Sequence, residues 1–237
     1  MIILPLPDTL SGTPRVNLDI QRVDYASLEA SGKQSGVQAG FPVWIARLEF
    51  DQVDPVSADL WTAFVDSLEG RLNRFYCGDP SRPRPIAHTF GMTSLIRAGG
   101  PDAGATFDGA ASSWSQSIDP VTRRATITLT GLPEGFTLSP RDLIGFKWDA
   151  EGAEAGSFER RTLARCATSA VADAAGVISV IANPPLNPAL LPAGAIAHLD
   201  DPVCVMSQVT EQTELGPIGA AGTMNGGTIV GLQDLRP

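Results

Sequence analysis

The most constraining stretch of this sequence runs from Asp54 to Gly70 (DPVSADLWTAFVDSLEG) and has the pattern of an amphipathic helix. Asp54 can accept a hydrogen bond from a free backbone N–H at the helix start, and Pro55 suits the first helical position. Gly70 can adopt the left-handed conformation that ends many helices. We therefore predict a helix over residues 55–69.

One face of this predicted helix is apolar. Large apolar residues recur at every fourth position and are accompanied by two more beside them, namely Val56, Leu60, Phe64, Leu68, Trp61 and Val65. Such a stripe is typical of a helix that packs on a protein core. We expect Leu60 and Phe64 to be buried against a neighbouring sheet.

The rest of the chain has the pattern of strands and turns. The 237 residues include 24 Gly and 19 Pro, and only 18% are charged, which favours a turn-rich β protein over a helical bundle. The predicted strands are Ile2–Leu4, Val16–Tyr25, Phe41–Phe50, Arg71–Asp79, Trp114–Ile118, Ala125–Thr130, Leu143–Trp148, Phe158–Ala170, Gly176–Ile181, Ala195–Leu199, Val203–Val209 and Thr228–Leu232. The predicted fold is mainly β with one prominent helix, a β-sandwich-like N-terminal domain plus a small β-barrel or sandwich.

A domain boundary is predicted near Ala98–Gly104 (AGGPDAG), where glycine and proline interrupt regular structure. The strands after Asp201 can rejoin the first domain. We therefore expect residues 1–97 and 201–237 to form one β-rich domain and residues 98–200 to be inserted into it. A fragment of residues 1–97 alone should then fold poorly, and limited proteolysis should cut near the boundary.

The sequence contains no recognisable catalytic or metal motif. His88 and His198 lie far apart and lack metal-ligand spacing, and no nucleophile elbow or phosphate-binding loop is present. Three acidic pairs remain as candidates for acid–base chemistry or calcium binding, although solvated or capping roles are more common: Asp200–Asp201, Glu49/Asp51 and Asp142/Asp149. We predict no enzyme activity and no cofactor.

The cysteine pattern, the net charge and the hydropathy restrict the redox state, the partners and the location that we expect for this protein. Cys77, Cys166 and Cys204 are widely spaced and odd in number, so we expect buried or incidental thiols rather than disulfides, with no role assigned. The net charge is −9 and no basic cluster occurs, so we expect no nucleic-acid partner. No signal peptide and no apolar run of membrane length is apparent, so we expect a soluble protein made in a cytoplasm.

Two long stretches resemble a known family. The first is FPVWIARLEFDQVDPVSADLWTAFVDSLEGRLNRFYCGDP, which combines strand, helix and aromatic strand. The second comprises TLTGLPEGFTLSPRDLIGFKWD and RTLARCATSAVADAAGVISVIANPPLNPALLPAGAIAHLDDP. Both are similar to tail-tip proteins of long-tailed phages, and the chain resembles the distal tail protein family.

This resemblance implies a structural virion protein of the tail tip, made in the bacterial host. Its β-rich N-terminal domain would close a ring of six copies, and a second, galectin-like or OB-like domain would lie outside the ring. The implied partners are further copies of the chain, the tail tube protein and the tail hub protein. The family order of two consecutive domains differs from the insertion that we expect here.

Two segments are candidates for contacts. The segment Ser27–Gly40 is longer than a hairpin loop needs, so it is either an arm that reaches the next ring subunit or a flexible hairpin tip. Its candidate interface residues are Ser27, Leu28, Lys33, Gln34 and Gln38. The alternative function is a carbohydrate-binding adhesin, for which Trp148, beside a polar loop, is the candidate glycan contact. Core packing is the competing interpretation for Trp148 and the other three tryptophans.

Overall fold

The computed structural model describes residues 2–7, 14–22, 24–28, 34–38, 40–149 and 159–235. These residues form nineteen strands and one α-helix, α1 (Pro55–Ser67). The strands are β1 (Ile3–Leu4), β2 (Arg15–Gln21), β3 (Asp24–Leu28), β4 (Gln34–Gln38), β5 (Val43–Glu49), β6 (Gln52–Val53), β7 (Arg74–Gly78), β8 (Ser113–Ile118), β9 (Ala125–Thr130), β10 (Thr137–Leu138), β11 (Leu143–Trp148), β12 (Arg160–Cys166), β13 (Ala170–Val171), β14 (Ile178–Asn183), β15 (Ile196–His198), β16 (Val203–Gln208), β17 (Glu214–Leu215), β18 (Met224–Asn225) and β19 (Gly227–Gln233). The prediction of a mainly β protein with one prominent helix is confirmed.

The predicted N-terminal cap of α1 is present, and the C-terminal end of the helix is shifted. The Asp54 carboxylate accepts hydrogen bonds from the backbone N–H groups of Val56 and Ser57, each at 3.1 Å. At the other end, the left-handed turn begins at Glu69 (φ 47°) and continues through Gly70 (φ 68°). The helix therefore ends two residues before the predicted position.

The buried face of α1 differs from the predicted stripe. Trp61 and Phe64 are buried as expected, whereas Val56 is 70% exposed and Leu60 is 45% exposed. An α-helix turns about 100° per residue, so residues four apart drift by about 40° at each step. Leu60 and Val56 consequently lie about 100° and 140° from Trp61, the centre of the buried face. The expectation that Leu60 is buried is wrong.

A chain of aromatic rings fixes α1 on the first sheet. The ring centroids of Phe50 and Trp61 are 4.8 Å apart, those of Trp61 and Phe64 5.6 Å, and those of Phe64 and Phe75 5.8 Å. All three pairs meet edge to face, a favourable arrangement for aromatic packing. Because Phe75 lies on β7, this chain links the helix to the strand that follows it.

The first sheet combines strands from both ends of the chain. Its order is β1-β7-β16-β19-β5-β2, with β17 paired to β19. The pairs along this path are antiparallel apart from β1 and β7, which are parallel. The late strands β16 and β19 therefore lie between the early strands β7 and β5.

The second sheet is built from the middle of the chain, in the order β15-β11-β12-β14-β9-β8. Its core includes Phe107, Ile127, Phe136 and Phe146. Met92 and Leu95, which precede the predicted boundary at residue 98, also pack in this second core. The division into separately folding domains stays a prediction.

The two sheets meet around Trp44, which is fully buried on β5. Its indole Nε1–H donates to the Leu163 carbonyl on β12 at 2.8 Å. Its backbone N–H donates to the Gln233 side chain at 3.1 Å, and Gln233 donates in turn to the Thr162 hydroxyl at 2.5 Å. Leu163 also packs in the core beneath α1, so each sheet contributes to the packing of the other.

Candidate functional site

The strands β3 and β4 form a hairpin that is separate from both large sheets. They pair antiparallel from Asp24 opposite Gln38 to Leu28 opposite Gln34. Among the described residues, this two-stranded sheet pairs with no further strand. One strand edge on each side of the hairpin is therefore left without a backbone partner from the described part of the chain.

The hairpin continues the longer pairing of β2 with β5. That pairing reaches its end where Gln21 lies opposite Val43. The chain then enters β3 after Arg22 and residue 23, and it returns from β4 through residues 39–42. Gly40 has a positive φ of 75°, which glycine adopts readily, in this returning junction. The result is an arm at the end of the strand pair β2–β5.

Within the predicted loop Ser27–Gly40, residues 27–28 and 34–38 belong to the paired strands β3 and β4, and the hairpin begins at Asp24 instead of Ser27. The backbones of Ser27, Leu28, Gln34 and Gln38 all lie in the paired strands. Lys33, the fifth candidate, lies outside the described residues. These strands were not predicted because their polar sequence lacks the alternation of apolar and polar residues that is typical of a half-buried strand.

Trp148 is placed in the second core instead of on the surface. Its side chain is 8% exposed and belongs to the buried cluster around Phe146. Sugar-binding aromatic residues need an accessible ring face, and a buried indole does not offer one. The adhesin interpretation thereby loses the residue on which it rested.

At least one member of each predicted acidic pair makes a structural contact. The Asp142 carboxylate is fully buried and accepts from the backbone N–H groups of Ser139 and Ile86 at 2.7 and 3.0 Å. Asp149 forms an ion pair with Arg160 at 3.3 Å, and Asp200 forms one with Arg84 at 2.7 Å.

At the surface, Asp51 pairs with Arg15, and this contact lowers the pKa of the carboxyl group. Within the described residues, no group of three or more His, Cys, Asp and Glu side chains is suited to hold a metal ion.

Each histidine has a defined structural environment. The His88 ring stacks on Phe136 with centroids 4.1 Å apart, and its Nε2 accepts from the Thr137 backbone N–H at 3.3 Å. The His198 ring lies directly over Gly145, where an added Cβ would come within 2.3 Å of the ring. Burial, reinforced by the charges of Lys147 and Arg161, lowers the pKa of His198 to about 4.

The cysteines are buried thiols. Cys77 and Cys204 lie opposite each other on β7 and β16, and Cys166 lies on β12. Burial raises the pKa of Cys77 and of Cys166 to about 12, and it raises that of Cys204 as well. Since the thiolate is the nucleophilic form, these groups are poorly suited to covalent chemistry near neutral pH.

Two surface clefts lie beside the first sheet. One, of about 400 Å³, is lined by Leu6, Trp61, Tyr76 and several prolines. The other, of about 590 Å³, is lined by Phe41, Leu186 and the C-terminal residues Gln233 to Leu235. Both have mainly apolar walls, which is typical of surfaces that contact proteins or hydrophobic groups.

Comparison with protein families does not assign this chain. No family model matches the sequence, and no curated protein matches it either. In the part of the chain that the structure describes, no helix has the length and apolarity needed to cross a membrane.

The structure also exposes a second surface, on helix α1, that was not predicted from the sequence. The outer face of α1 exposes Val56, Leu60, Ala63 and Ser67. Their spacing of four, three and four residues was present in the sequence. This spacing was overlooked because Val56 and Leu60 also belong to the series of apolar residues at every fourth position, which was predicted to face the core.

Proposed function

We propose that this chain is a structural subunit of the tail tip of a long-tailed phage, which assembles as a ring of the distal-tail type. In this proposal the β3–β4 hairpin is an arm that pairs with a neighbouring copy. The tail tube protein and the tail hub protein are the partners on either side of the ring. The chain carries out no catalysis in this role.

The observation that supports this proposal is the isolated pairing of β3 with β4. A two-stranded hairpin alone is marginally stable in water and needs a further strand or an apolar surface to cover it. Its outer N–H and C=O groups, which no described strand pairs, are also a template for another chain. A second copy is the simplest source of the missing strand, since it is present wherever the arm is present.

The composition of the arm suits backbone pairing. Its two strands, DYASL and QSGVQ, contain few large apolar side chains. Strand addition takes its affinity from main-chain hydrogen bonds and needs few side-chain anchors. One anchor is available in Tyr25, which is 68% exposed.

The first sheet offers a strand edge that is suited to receive such an arm. Among the described strands, β2 ends the sheet on one side and pairs with β5 alone. If the arm of one copy pairs with an edge of the next, the contact joins two different surfaces. Repeated head-to-tail contacts of this kind generate a closed ring when the rotation between copies allows closure. The resemblance of the sequence to distal tail proteins points to such a ring, with six copies.

Deletion of Asp24–Gln38 tests the arm. The pairing of Gln21 with Val43 leaves β2 and β5 adjacent, and the remaining junction residues are enough to form a short hairpin loop. We expect the shortened subunit to keep its cooperative thermal unfolding and to lose its oligomeric state in size-exclusion chromatography with light scattering. The wild-type protein should form rings in negative-stain images.

A point variant gives the matched comparison. Tyr25→Ser should weaken the oligomer. Val121→Ser should not weaken it, because Val121 is a similarly exposed apolar residue that lies between β8 and β9 of the second sheet. A folded deletion variant with the parental mass and undiminished oligomer stability would show that the hairpin is not an assembly arm. A wild-type protein that stays monomeric at all concentrations would contradict the ring itself.

A further inference from the structure

The outer face of α1 carries the sequence pattern of a helix-docking seam. Val56, Leu60, Ala63 and Ser67, here called the outer seam, follow the alternating spacing of four and three residues that places side chains along one stripe. All four are exposed, with Val56 at 70% and Leu60 at 45%. The opposite face, centred on Trp61, already packs on the first sheet. The helix therefore has two apolar faces, and the described part of the chain covers one of them.

The small residues of the outer seam favour close approach of another helix. Ala63 and Ser67 leave space beside the larger Val56 and Leu60, so a partner side chain can enter between them. Near the C-terminal end of the helix, Ile2 is 55% exposed. Asn73 holds Ile2 there, because its side chain donates to the Ser67 carbonyl at 2.9 Å and accepts from the Ile2 N–H at 3.1 Å.

The charges beside the outer seam decide which partner fits. If Leu60 and Ser67 are placed at the a positions of a heptad, Asp59 and Asp66 take the g positions on one flank. The e positions on the other flank fall at Ser57 and Phe64, which are buried against the sheet. Asp59 and Asp66 form no ion pair with any described residue, and the helix itself contains no basic residue. The accessible flank of the seam is therefore purely acidic.

This charge pattern disfavours a second copy of the same helix. An antiparallel pair of two α1 helices would bring the Asp59 and Asp66 flanks together, and like charges at these positions repel. A parallel pair would direct the acidic flank toward e positions that are covered by the chain's own sheet. A helix with basic residues along the facing flank gains opposite-charge pairs in either orientation.

We propose that the outer seam is a docking site for an amphipathic helix of another protein, with an apolar stripe flanked by lysine or arginine. The apolar contacts supply affinity, and Asp59 and Asp66 select the basic partner and its register. This surface is separate from the β3–β4 arm. The proposal does not depend on ring formation, and its test distinguishes the two.

A synthetic helical peptide is the probe. It carries leucine and alanine at the a and d positions of about three heptads and lysine along both flanks. Two control peptides are a permuted sequence with the same composition but no seam, and a seam peptide with glutamate in place of lysine. Fluorescence anisotropy of the labelled peptides measures binding to the full-length protein. We expect the basic seam peptide to bind at least about tenfold more tightly than either control.

Variants of the protein locate the binding surface. Leu60→Gln and Ala63→Gln, both at exposed positions, should each weaken binding roughly tenfold without lowering the melting temperature. Val121→Gln, at an exposed apolar residue away from the helix, should have no effect. The double variant Asp59→Asn and Asp66→Asn should weaken binding and reduce its salt dependence. The matched double variant Asp102→Asn and Glu134→Gln should leave both unchanged.

Three outcomes would overturn the proposal. Equal binding of the seam and permuted peptides would show that only the net negative charge attracts them. Binding that is unaffected by both Leu60→Gln and Ala63→Gln would place the contact elsewhere. A lower oligomer mass of the Leu60→Gln protein in light scattering would show that the outer seam is covered by a second copy of this chain.

Discussion

Asp142 illustrates how single buried polar residues connect distant segments of this protein. Its carboxylate accepts from the backbone N–H groups of Ser139 and Ile86 and from Arg82, the last at 3.1 Å. A buried carboxylate is tolerated only when it is paired and hydrogen-bonded, and these donors meet that requirement. The carboxylate therefore ties the segment around Ile86 to the start of β11, which is a structural role.

His198 is a buried group that is only partly compensated, because it has a hydrogen bond to the Gly145 backbone but one of its ring nitrogens is unpaired among the described residues. Its Nδ1 has no hydrogen-bond partner among the described residues, and burial lowers its pKa to about 4 from an ordinary value of 6.5. The unfolded chain therefore binds a proton that the folded protein does not bind between these two pH values. The free energy of unfolding is therefore unaffected by this group above pH 6.5, and it decreases as the pH falls from 6.5 toward 4.

We predict a corresponding loss of stability in acid. Between pH 7 and pH 4, His198 alone should lower the free energy of unfolding by on the order of 3 kcal/mol. His198→Gln should show a smaller decrease over the same range in urea denaturation, because it removes the titrating group. The variant His88→Gln is the control for loss of a less buried histidine. An identical decrease in wild type and His198→Gln would show that His198 does not titrate in this range.

At the scale of single elements, α1 separates a core face from a surface face. Phe64 is buried between Trp61 and Phe75, whereas Leu60 projects from the outer seam. Both residues belong to the same every-fourth-residue series in the sequence. Their different burial follows from the drift of that series around the helix.

Alanine substitutions should measure this difference. Phe64→Ala removes a buried ring and should lower the free energy of unfolding by about 3–5 kcal/mol. Leu60→Ala should change it by no more than about 0.5 kcal/mol, because the position is exposed and alanine is a good helix former. Chemical denaturation of both variants gives the comparison. A large loss for Leu60→Ala would place that side chain in the core.

Element types were predicted more successfully than their surroundings. Ala125–Thr130 and Leu143–Trp148 have the same bounds in the structure as in the prediction, because β-branched and aromatic residues are bounded there by turn residues. The helix was also predicted, but its rotation on the sheet was not, since periodicity alone does not say which residue faces the core. Ser27–Gly40 was recognised as unusual in length, whereas its hairpin depends on backbone pairing that a polar sequence does not indicate.

Burial of Trp148 could not be predicted from its neighbours in sequence. The residue precedes a polar stretch of sequence, yet its ring packs on core residues that come from other strands. Whether a side chain beside a loop points inward depends on tertiary packing. For the same reason, the roles of the acidic pairs could not be decided from the sequence, since positions in sequence do not give the distance between carboxylates.

At the scale of the whole molecule, the order of the first sheet makes the two ends of the chain interdependent. β16 and β19 lie between β7 and β5, and their removal would separate the remaining strands of this sheet. The middle of the chain leaves and returns close together, because the Asp201 backbone N–H donates to the Pro83 carbonyl at 2.8 Å. The two sheets also share Trp44, whose indole is hydrogen-bonded across their boundary.

These contacts lead to a prediction about fragments. Residues 1–97 alone should show no cooperative thermal unfolding, because β7 and β5 lose the two strands that connect them. A variant in which a short Gly-Ser linker replaces residues 84–200 should recover cooperative unfolding, since it restores β16 and β19 and joins neighbouring ends. Its melting temperature should be below that of the full chain, because the Trp44 indole loses the Leu163 carbonyl and the apolar cover that β12 provides. Circular dichroism during heating distinguishes these cases, and a cooperative transition of the 1–97 fragment would show that its own strands form a stable sheet without the C-terminal segment.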